Sequence, residues 1–325
     1  MTTSTLLRFS AGAFLSVSTA SAAWERLAPL PVPNGGFIGA ASGGRIIAAG
    51  GVTWKGDTKI WLDGIWSYDP GRNAWSETGK LPAPLAYSVS GSDGTTTWFA
   101  GGSSGVTTGR SLWRIDPGQA PRVIAAIEPA LVYAAGALIG TTLYAAGGSD
   151  DQAAIERITS AFFGIDIRNG KATRLPDYPE SSLTTGTAAA VGGKLYVFGG
   201  ARWDAAAKAV VNHASAHAFS PDTNRWERLP PLPHPGRGFK AVALDERRIL
   251  LAGGYRNDEV EFVRDAYVFD TQTRTFTPTV ALPYAAMVTL IQSGEWLYCL
   301  GGEDRKRHRT DAVYRIRWQE LLPRR

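Results

Sequence analysis

Six short apolar segments of this chain each run directly into a pair of glycines. The segments are IIAA, TWFA, LYAA, LYVF, ILLA and LYCL, and they end at Gly-Gly pairs 50-51, 101-102, 147-148, 199-200, 253-254 and 301-302. Short apolar runs bounded by glycine are typical of buried β-strands. Because the pattern returns about every 50 residues along nearly the whole chain, it predicts a β-propeller.

The residues around each pair of glycines follow one order in every repeat. A first strand rich in small residues leads into the apolar second strand, and a variable loop follows the glycines. A third strand carries an aromatic residue and often ends in Asp, as at 65–70, 112–117, 162–167, 217–222 and 266–271. A fourth strand contains Trp75, Trp226 or Phe276, and a turn containing proline follows it. We therefore predict an all-β fold, a six-bladed propeller of the kelch type.

The last blade is incomplete at the C-terminal end of the chain. After residues 312–318, only QELLPRR remains, and no fourth strand with a tryptophan follows. Residues 22–31, AAWERLAPLP, nearly repeat residues 224–233, NRWERLPPLP, which form the predicted fourth strand and exit turn of blade four. We therefore predict that the N-terminal strand pairs into blade six and closes the ring, so that residues 23–325 form one domain.

The first 22 residues have the pattern of a secretory signal peptide. Arg8 ends a short basic segment, an apolar stretch follows, and Ala20-Ser21-Ala22 fits a cleavage site for signal peptidase. The apolar stretch is too short to span a membrane. We therefore predict cleavage after residue 22 and a periplasmic or secreted protein, and the sequence leaves homodimerisation open.

The charge of the chain is moderately basic, with a formal net charge of +5 over 325 residues. The Lys and Arg residues are scattered except for the run at 305–309, and no nucleic-acid-binding motif accompanies them. A basic surface also attracts small acidic molecules. We therefore expect an acidic small molecule as the partner, and neither nucleic acid nor a membrane span.

One of the six repeats carries an acid directly after its glycines. The residues at this position are Val52, Ser103, Ser149, Ala201, Tyr255 and Glu303. In a propeller this position lies at one mouth of the central channel, where a partly desolvated carboxylate is suited to general acid/base catalysis. Arg309 follows six residues after Glu303 and is a natural partner for a substrate carboxylate. The alternative is an ordinary loop salt bridge between Glu303 and a basic neighbour.

The segment around Glu303 is similar to a segment of the bacterial N-acetylneuraminate epimerases, or sialic acid mutarotases. In that family a Gly-Glu is followed six residues later by Arg-Thr-Asp-Ala-Val, as in GGEDRKRHRTDAVYRI at 301–316. Residues 34–56 resemble a blade that follows the Glu-Arg blade in the family, so the order here is cyclically permuted. The chain departs from the family at Leu85, where the family has Arg, and at Ser103, where it has Glu.

The resemblance implies a periplasmic six-bladed kelch propeller that interconverts the anomers of free sialic acid. It gives Glu303 the acid/base role and Arg309 the role of binding the substrate. A carboxyl group and a bound water suffice for anomer exchange, so we expect neither a metal nor a cofactor. Arg237 and Arg256 are further candidate cations at the same mouth. Phe37 and Tyr87 are candidate faces for a sugar, with packing between blades as the alternative.

Two other functions fit a kelch propeller. A copper oxidase of this fold needs a crosslinked Cys and two His ligands, but Cys299 lies within a predicted strand and the His residues are dispersed. A non-catalytic propeller that binds a glycan or a protein through its loops is the stronger rival, because the fold alone does not determine the function.

Overall fold

The computed structural model describes residues 23–322, so the predicted signal peptide at 1–22 lies outside the described residues. Within them, six four-stranded antiparallel sheets form the blades of a propeller, which confirms the predicted all-β, six-bladed architecture. Two short 3-10 turns, Ile155–Arg157 and Trp318–Leu321, are the only helical segments in this range. No helix between residues 23 and 322 is long and apolar enough to cross a membrane.

The four strands of each blade are numbered outward from the central channel. Blade one consists of Ile38–Ser42, Arg45–Ala49, Gly64–Asp69 and Ala74–Lys80. Blade two consists of Val89–Ser92, Thr97–Ala100, Ser111–Ile115 and Arg122–Ala126. Blade three consists of Ala135–Ile139, Thr142–Ala146, Phe162–Asp166 and Ala172–Leu175. Each first strand contacts the first strands of the two neighbouring blades, and together they surround the channel.

The other three blades follow the same order. Blade four consists of Thr187–Val191, Lys194–Phe198, Ala216–Ser220 and Arg225–Arg228. Blade five consists of Lys240–Ala243, Arg248–Ala252, Ala266–Asp270 and Thr275–Pro278. Blade six consists of Met287–Ser293, Trp296–Glu303, Val313–Arg317 and the N-terminal strand Glu25–Arg26.

Two of the predicted loops after the glycines are β-hairpins. In blade one, Val52–Lys55 pairs with Thr58–Trp61, and in blade four, Ala201–Asp204 pairs with Ala209–Asn212. The prediction of a variable loop at these two places was wrong. Both hairpins begin at the residue after the glycines, so they project from the same end of the propeller.

The double glycines connect each blade to the next. The N–H of the second glycine donates a hydrogen bond to a carbonyl of the lead-in segment, the residues directly before the first strand of the next blade. These bonds are Gly51 to Leu85, Gly102 to Leu131, Gly148 to Leu183, Gly200 to Gly236, Gly254 to Ala286 and Gly302 to Asn34, at 2.7–2.9 Å. Both glycines of every pair have positive φ, which other residues adopt only at a cost.

The N-terminal strand closes the ring as predicted. Glu25 lies opposite Arg315 in blade six, and Arg315 Nε donates to Glu25 Oε2 at 2.7 Å. Trp24 Nε1 donates to the Ala281 carbonyl of blade five, just as Trp226 Nε1 in blade four donates to the Pro176 carbonyl of blade three. The repeated WERL segment therefore makes the same contact with the preceding blade at both places.

The hydrophobic core is divided into six clusters, one in each interface between neighbouring blades. Cys299 lies in the cluster between blades five and six, fully buried, and burial raises the pKa of its thiol to about 12. Cys299 is therefore a buried thiol with little thiolate character at neutral pH.

The second glycine of blade six provides a test of the tight backbone packing around the double glycines. A Cβ at Gly302, where φ is +104°, would lie 2.2 Å from the Met287 carbonyl oxygen. Gly294, a turn glycine of the same blade with φ +58°, has nothing within 4 Å of such a Cβ. We expect Gly294→Ala to destabilise the fold by about 1–2 kcal/mol through backbone strain alone. Gly302→Ala, with strain and a clash, should cost at least about 3 kcal/mol. Urea unfolding of both variants measures the difference, and equal losses would contradict this role for Gly302.

Two buried histidines make the stability depend on pH. His213 is 7% exposed with no partner for either ring nitrogen, and His217 is 3% exposed. Burial lowers the pKa of both, so they are neutral in the fold, whereas the unfolded chain takes up protons below about pH 6.5. Their contribution to stability is therefore present above this pH and is lost as the pH falls.

We expect the melting temperature to decrease between pH 7.5 and pH 5.5. The decrease should be smaller in His213→Leu, because leucine fills the buried site with a side chain that does not titrate. Thermal unfolding followed by circular dichroism at both pH values measures this. The same decrease in both proteins would show that His213 does not contribute.

Candidate functional site

Six equivalent residue pairs lie at one end of the channel. The residue after each pair of glycines bridges to a residue of the lead-in segment of its own blade. The pairs are Val52 with Gly35, Ser103 with Ala86, Ser149 with Val132, Ala201 with Thr184, Tyr255 with Arg237 and Glu303 with Met287. This end of the propeller is the mouth predicted from the sequence, and Glu303 is the only acid among these twelve residues.

The next residue of each lead-in segment forms a ring around the mouth in five of the blades. These residues have positive φ and are Gly36, Tyr87, Tyr133, Thr185 and Gly238. From Tyr87 to Gly238, the N–H of each residue donates to the carbonyl of the preceding member, in four hydrogen bonds of 2.8–3.3 Å. We call these five residues the mouth ring. The tyrosines and Thr185 hold a backbone conformation that such residues rarely adopt.

Blade six interrupts the mouth ring. In the other five blades, two residues lie between the lead-in residue that bridges to the position after the glycines and the first paired residue of the first strand. In blade six, only Val288 lies between Met287 and Thr289. The chain of backbone hydrogen bonds therefore stops at blade five. Arg309 packs beside the interruption, against Gly35 of blade one, where a Cβ would lie 2.7 Å from Arg309 Nε.

Glu303 and Arg309 form an ion pair at this interruption. Arg309 Nη1 lies 3.0 Å from Glu303 Oε2 and also donates to the His308 carbonyl at 3.0 Å. The Glu303 side chain is 25% exposed and the Arg309 side chain 5%. Arg309 Nε is buried without a partner. Glu303 is thus partly desolvated, and the salt bridge that the sequence left as an alternative does form, with Arg309 as the partner.

The two other predicted arginines have different partners. Arg237 Nη1 donates to Asn212 Oδ1 of the blade-four hairpin at 2.8 Å, and its guanidinium lies 4.5 Å from the centre of the Tyr255 ring. Arg256 is paired with Asp265. Both side chains lie on the blade-four and blade-five side of the mouth, where their charges are already partly compensated.

The two predicted aromatic residues have different positions. Phe37 is 7% exposed and belongs to the hydrophobic cluster between blades six and one, so packing between blades is its role here. Tyr87 belongs to the mouth ring, with its ring centre 4.8 Å from that of Tyr133 and 5.8 Å from that of Trp61. The structure therefore places Tyr87, and not Phe37, among the residues around the mouth.

Sequence analysis missed the contribution of the blade-one hairpin. This hairpin brings Trp61 against Tyr87, and Lys59 Nζ lies 4.8 Å from the centre of each of these two rings. The alternating residues on both sides of the Lys55-Gly56-Asp57 turn are a hairpin signal that could have identified it. The interruption at Val288 depends on strand register, for which the sequence gives no comparable signal.

Comparison with known proteins supports the architecture and the resemblance. A family model described as Kelch motif matches residues 184–233. The N-acetylneuraminate epimerase of Pasteurella multocida (strain Pm70) is 31% identical over 127 residues, covering 38% of this chain and 31% of that protein. The N-acetylneuraminate epimerase of Salmonella typhi is 21% identical over 194 residues, covering 49% and 50%. Spermatocyte protein spe-26 of Caenorhabditis elegans is 24% identical over 196 residues, covering 60% and 32%.

The chain spans a third to a half of the length of the curated relatives it matches. It is a six-bladed propeller with a match to the Kelch motif at residues 184–233 and a distant similarity to N-acetylneuraminate epimerases, the resemblance that the sequence indicated.

A double-mutant cycle tests whether Glu303 and Arg309 depend on each other. Each single change, Glu303→Gln or Arg309→Met, leaves the other charge without its partner in a site where water is largely excluded. We expect a coupling energy of about 1–3 kcal/mol from urea unfolding of the two single variants and the double variant.

The exposed pair Arg307–Asp57, with side chains 54% and 87% exposed, is the matched control. Its coupling should stay below about 0.5 kcal/mol because solvent screens the charges. Equal coupling for the two pairs would show that the Glu303–Arg309 contact is an ordinary surface salt bridge.

Proposed function

We propose that this protein interconverts the anomers of an acidic sugar, with N-acetylneuraminate as the first candidate. The observation that carries the proposal is the position of Glu303, the only acid among the equivalent residues of the mouth, at the interruption of the mouth ring. The similarity to proteins named N-acetylneuraminate epimerase supports the choice of sugar.

Anomer exchange requires two proton transfers at one end of the sugar. A base removes the proton of the anomeric hydroxyl while the ring oxygen gains a proton, and the ring opens to the carbonyl form. Rotation about one bond and reclosure then give the other anomer. We propose that Glu303 takes the first proton and returns it to the ring oxygen, directly or through a water molecule. Its 25% exposure leaves room for contact with a ligand from the channel side.

Arg309 has a positioning role in this proposal. Its side chain is only 5% exposed, and Nη1 is occupied by Glu303 and by the His308 carbonyl. A direct bond from Nη1 to a substrate carboxylate would require the ligand to take the place of Glu303. We therefore propose that Arg309 mainly holds the Glu303 carboxylate in place. Around the mouth, the rings of Tyr87, Tyr133 and Trp61 offer apolar faces for the sugar.

The location and the partner stay as proposals. A periplasmic or secreted location rests on the sequence of residues 1–22. A non-catalytic propeller that binds an acidic glycan is the second candidate, because the Glu303 charge is already satisfied by Arg309 in the described structure. Both candidates place the ligand at the same mouth, so kinetics must separate them.

The test is the rate of mutarotation of freshly dissolved α-anomer of N-acetylneuraminate, followed by proton NMR with and without the purified protein. We expect wild type to accelerate the exchange and Glu303→Gln to lose at least about 100-fold of the acceleration, the contribution typical of a general acid/base. Glu295→Gln is the matched control. Glu295 lies in the same blade and is also paired with an arginine, Arg317, but at the opposite end of the second strand.

Equal acceleration by Glu303→Gln and wild type would remove the catalytic role of Glu303. No acceleration with N-acetylneuraminate or with other ulosonic and uronic acids would remove the enzyme hypothesis. Binding of the sugar without acceleration would then favour the non-catalytic propeller.

A further inference from the structure

One layer below the mouth, six equivalent positions lie on the first strands, which surround the channel. Each belongs to a first strand and pairs with the residue directly before the double glycine. The six residues are Ile38, Val89, Ala135, Thr187, Lys240 and Thr289. Lys240 is the only charged residue among them. It is also the only charged residue in the six first strands, whose sequences are IGAAS, VSGS, AGALI, TAAAV, KAVA and MVTLIQS.

The neighbours of Lys240 define the direction of its side chain. Ala241 and Ala243 pack in the cluster between blades four and five, whereas Val242 packs in the cluster between blades five and six. Because side chains alternate along a strand, Lys240 lies on the same face as Val242, turned toward blade six. The blade-six residues in that cluster nearest the mouth are Val288 and Leu290, both apolar.

The Lys240 ammonium has no countercharge in the described part of the chain. The side chain is enclosed by protein but stays partly accessible to water, unlike the equivalent residues of blades one to four, which are buried. Burial alone lowers its pKa, and no carboxylate among residues 23–322 is near enough to oppose this. A cation in such a place is costly unless an anion accompanies it.

The other candidate cations of the mouth are already engaged. Arg309 is paired with Glu303, Arg256 with Asp265, and Arg237 is bonded to Asn212. Lys59 lies over the rings of Trp61 and Tyr87 at the mouth. Below the mouth ring, an acidic ligand in the channel therefore meets Lys240.

We propose that Lys240 binds the carboxylate of the ligand in the channel, one layer below Glu303. Anion binding at Lys240 stands on the channel geometry, and its place in anomer exchange rests on the proposed function. In a ulosonic acid the carboxylate and the anomeric hydroxyl share one carbon, so neighbouring layers of the channel can hold both. A uronic acid carries its carboxylate on a different carbon, which would move the anomeric hydroxyl away from Glu303.

The test is calorimetric titration with N-acetylneuraminate and with its methyl ester, which has the same sugar without the charge. For Lys240→Met we expect the affinity for the acid to decrease about 10- to 100-fold, as for loss of a charge-assisted hydrogen bond. The affinity for the ester should be unchanged, and Lys240→Arg should retain part of the preference for the acid.

Two controls separate binding from folding. Lys194→Met removes an exposed lysine at the start of the second strand of blade four, the end far from the mouth. It should change neither the affinity for the acid nor that for the ester. Lys240→Met should melt at the same or a higher temperature than wild type, because an apolar side chain replaces a buried charge of similar length.

Unchanged affinity of Lys240→Met for the acid would overturn the proposal. An equal loss for the acid and the ester, or no binding of the acid by wild type, would also overturn it. Mutarotation is measured separately. Binding that depends on Lys240, without mutarotation, would support anion binding at Lys240 and contradict the enzyme hypothesis. Mutarotation that depends on Glu303, with no effect of Lys240→Met on binding, would support the enzyme hypothesis and contradict anion binding at Lys240.

Discussion

The hydrogen bond from the second glycine of each pair to the lead-in segment of the next blade is the contact on which the ring depends. It occurs six times at 2.7–2.9 Å, and the sixth bond, from Gly302 to the Asn34 carbonyl, joins the last blade to the first. In five of the six pairs, a side chain at the first glycine would collide with the accepting carbonyl, as at Gly301, where a Cβ would lie 2.5 Å from the Asn34 carbonyl oxygen. The glycines are thus a requirement of close approach between blades, with no part in ligand chemistry.

The glycine bonds are equivalent in all six blades, so each residue at the mouth has a counterpart in the other five blades. A residue that differs from its five counterparts can therefore be compared with them directly. Five blades continue the mouth ring and the sixth does not, since it has one residue fewer before its first strand. The same blade carries Glu303 and Arg309. Glu303 pairs with Met287, the residue directly before the interruption, so the ion pair lies in the blade where the mouth ring is broken.

The sequence predicted the features that depend on local pattern. The strand order, the double glycines and the closing strand at Glu25–Arg26 followed from repeats and spacing, and they were confirmed. Features that depend on contacts between blades were harder to predict. Phe37 and Tyr87 are both aromatic residues near a first strand, but a shift of one position in the lead-in segment buries Phe37 and puts Tyr87 in the mouth ring. Lys240 has no motif, and only the register with Ala252 reveals its equivalence to Thr187 and Thr289.

Arg309 and Lys240 are two largely enclosed cations near the mouth, and they differ in whether the chain itself supplies a countercharge. The charge of Arg309 is compensated within the chain by Glu303, at 3.0 Å, so Arg309 needs no ligand. Lys240 has no such partner, and burial opposes its charged form. An arginine, whose fork-shaped guanidinium holds a carboxylate in a fixed orientation, suits the positioning of a base. A lysine on a flexible chain suits a ligand that must enter and leave. The division of roles between Arg309 and Lys240 therefore follows from which of the two the protein has already neutralised.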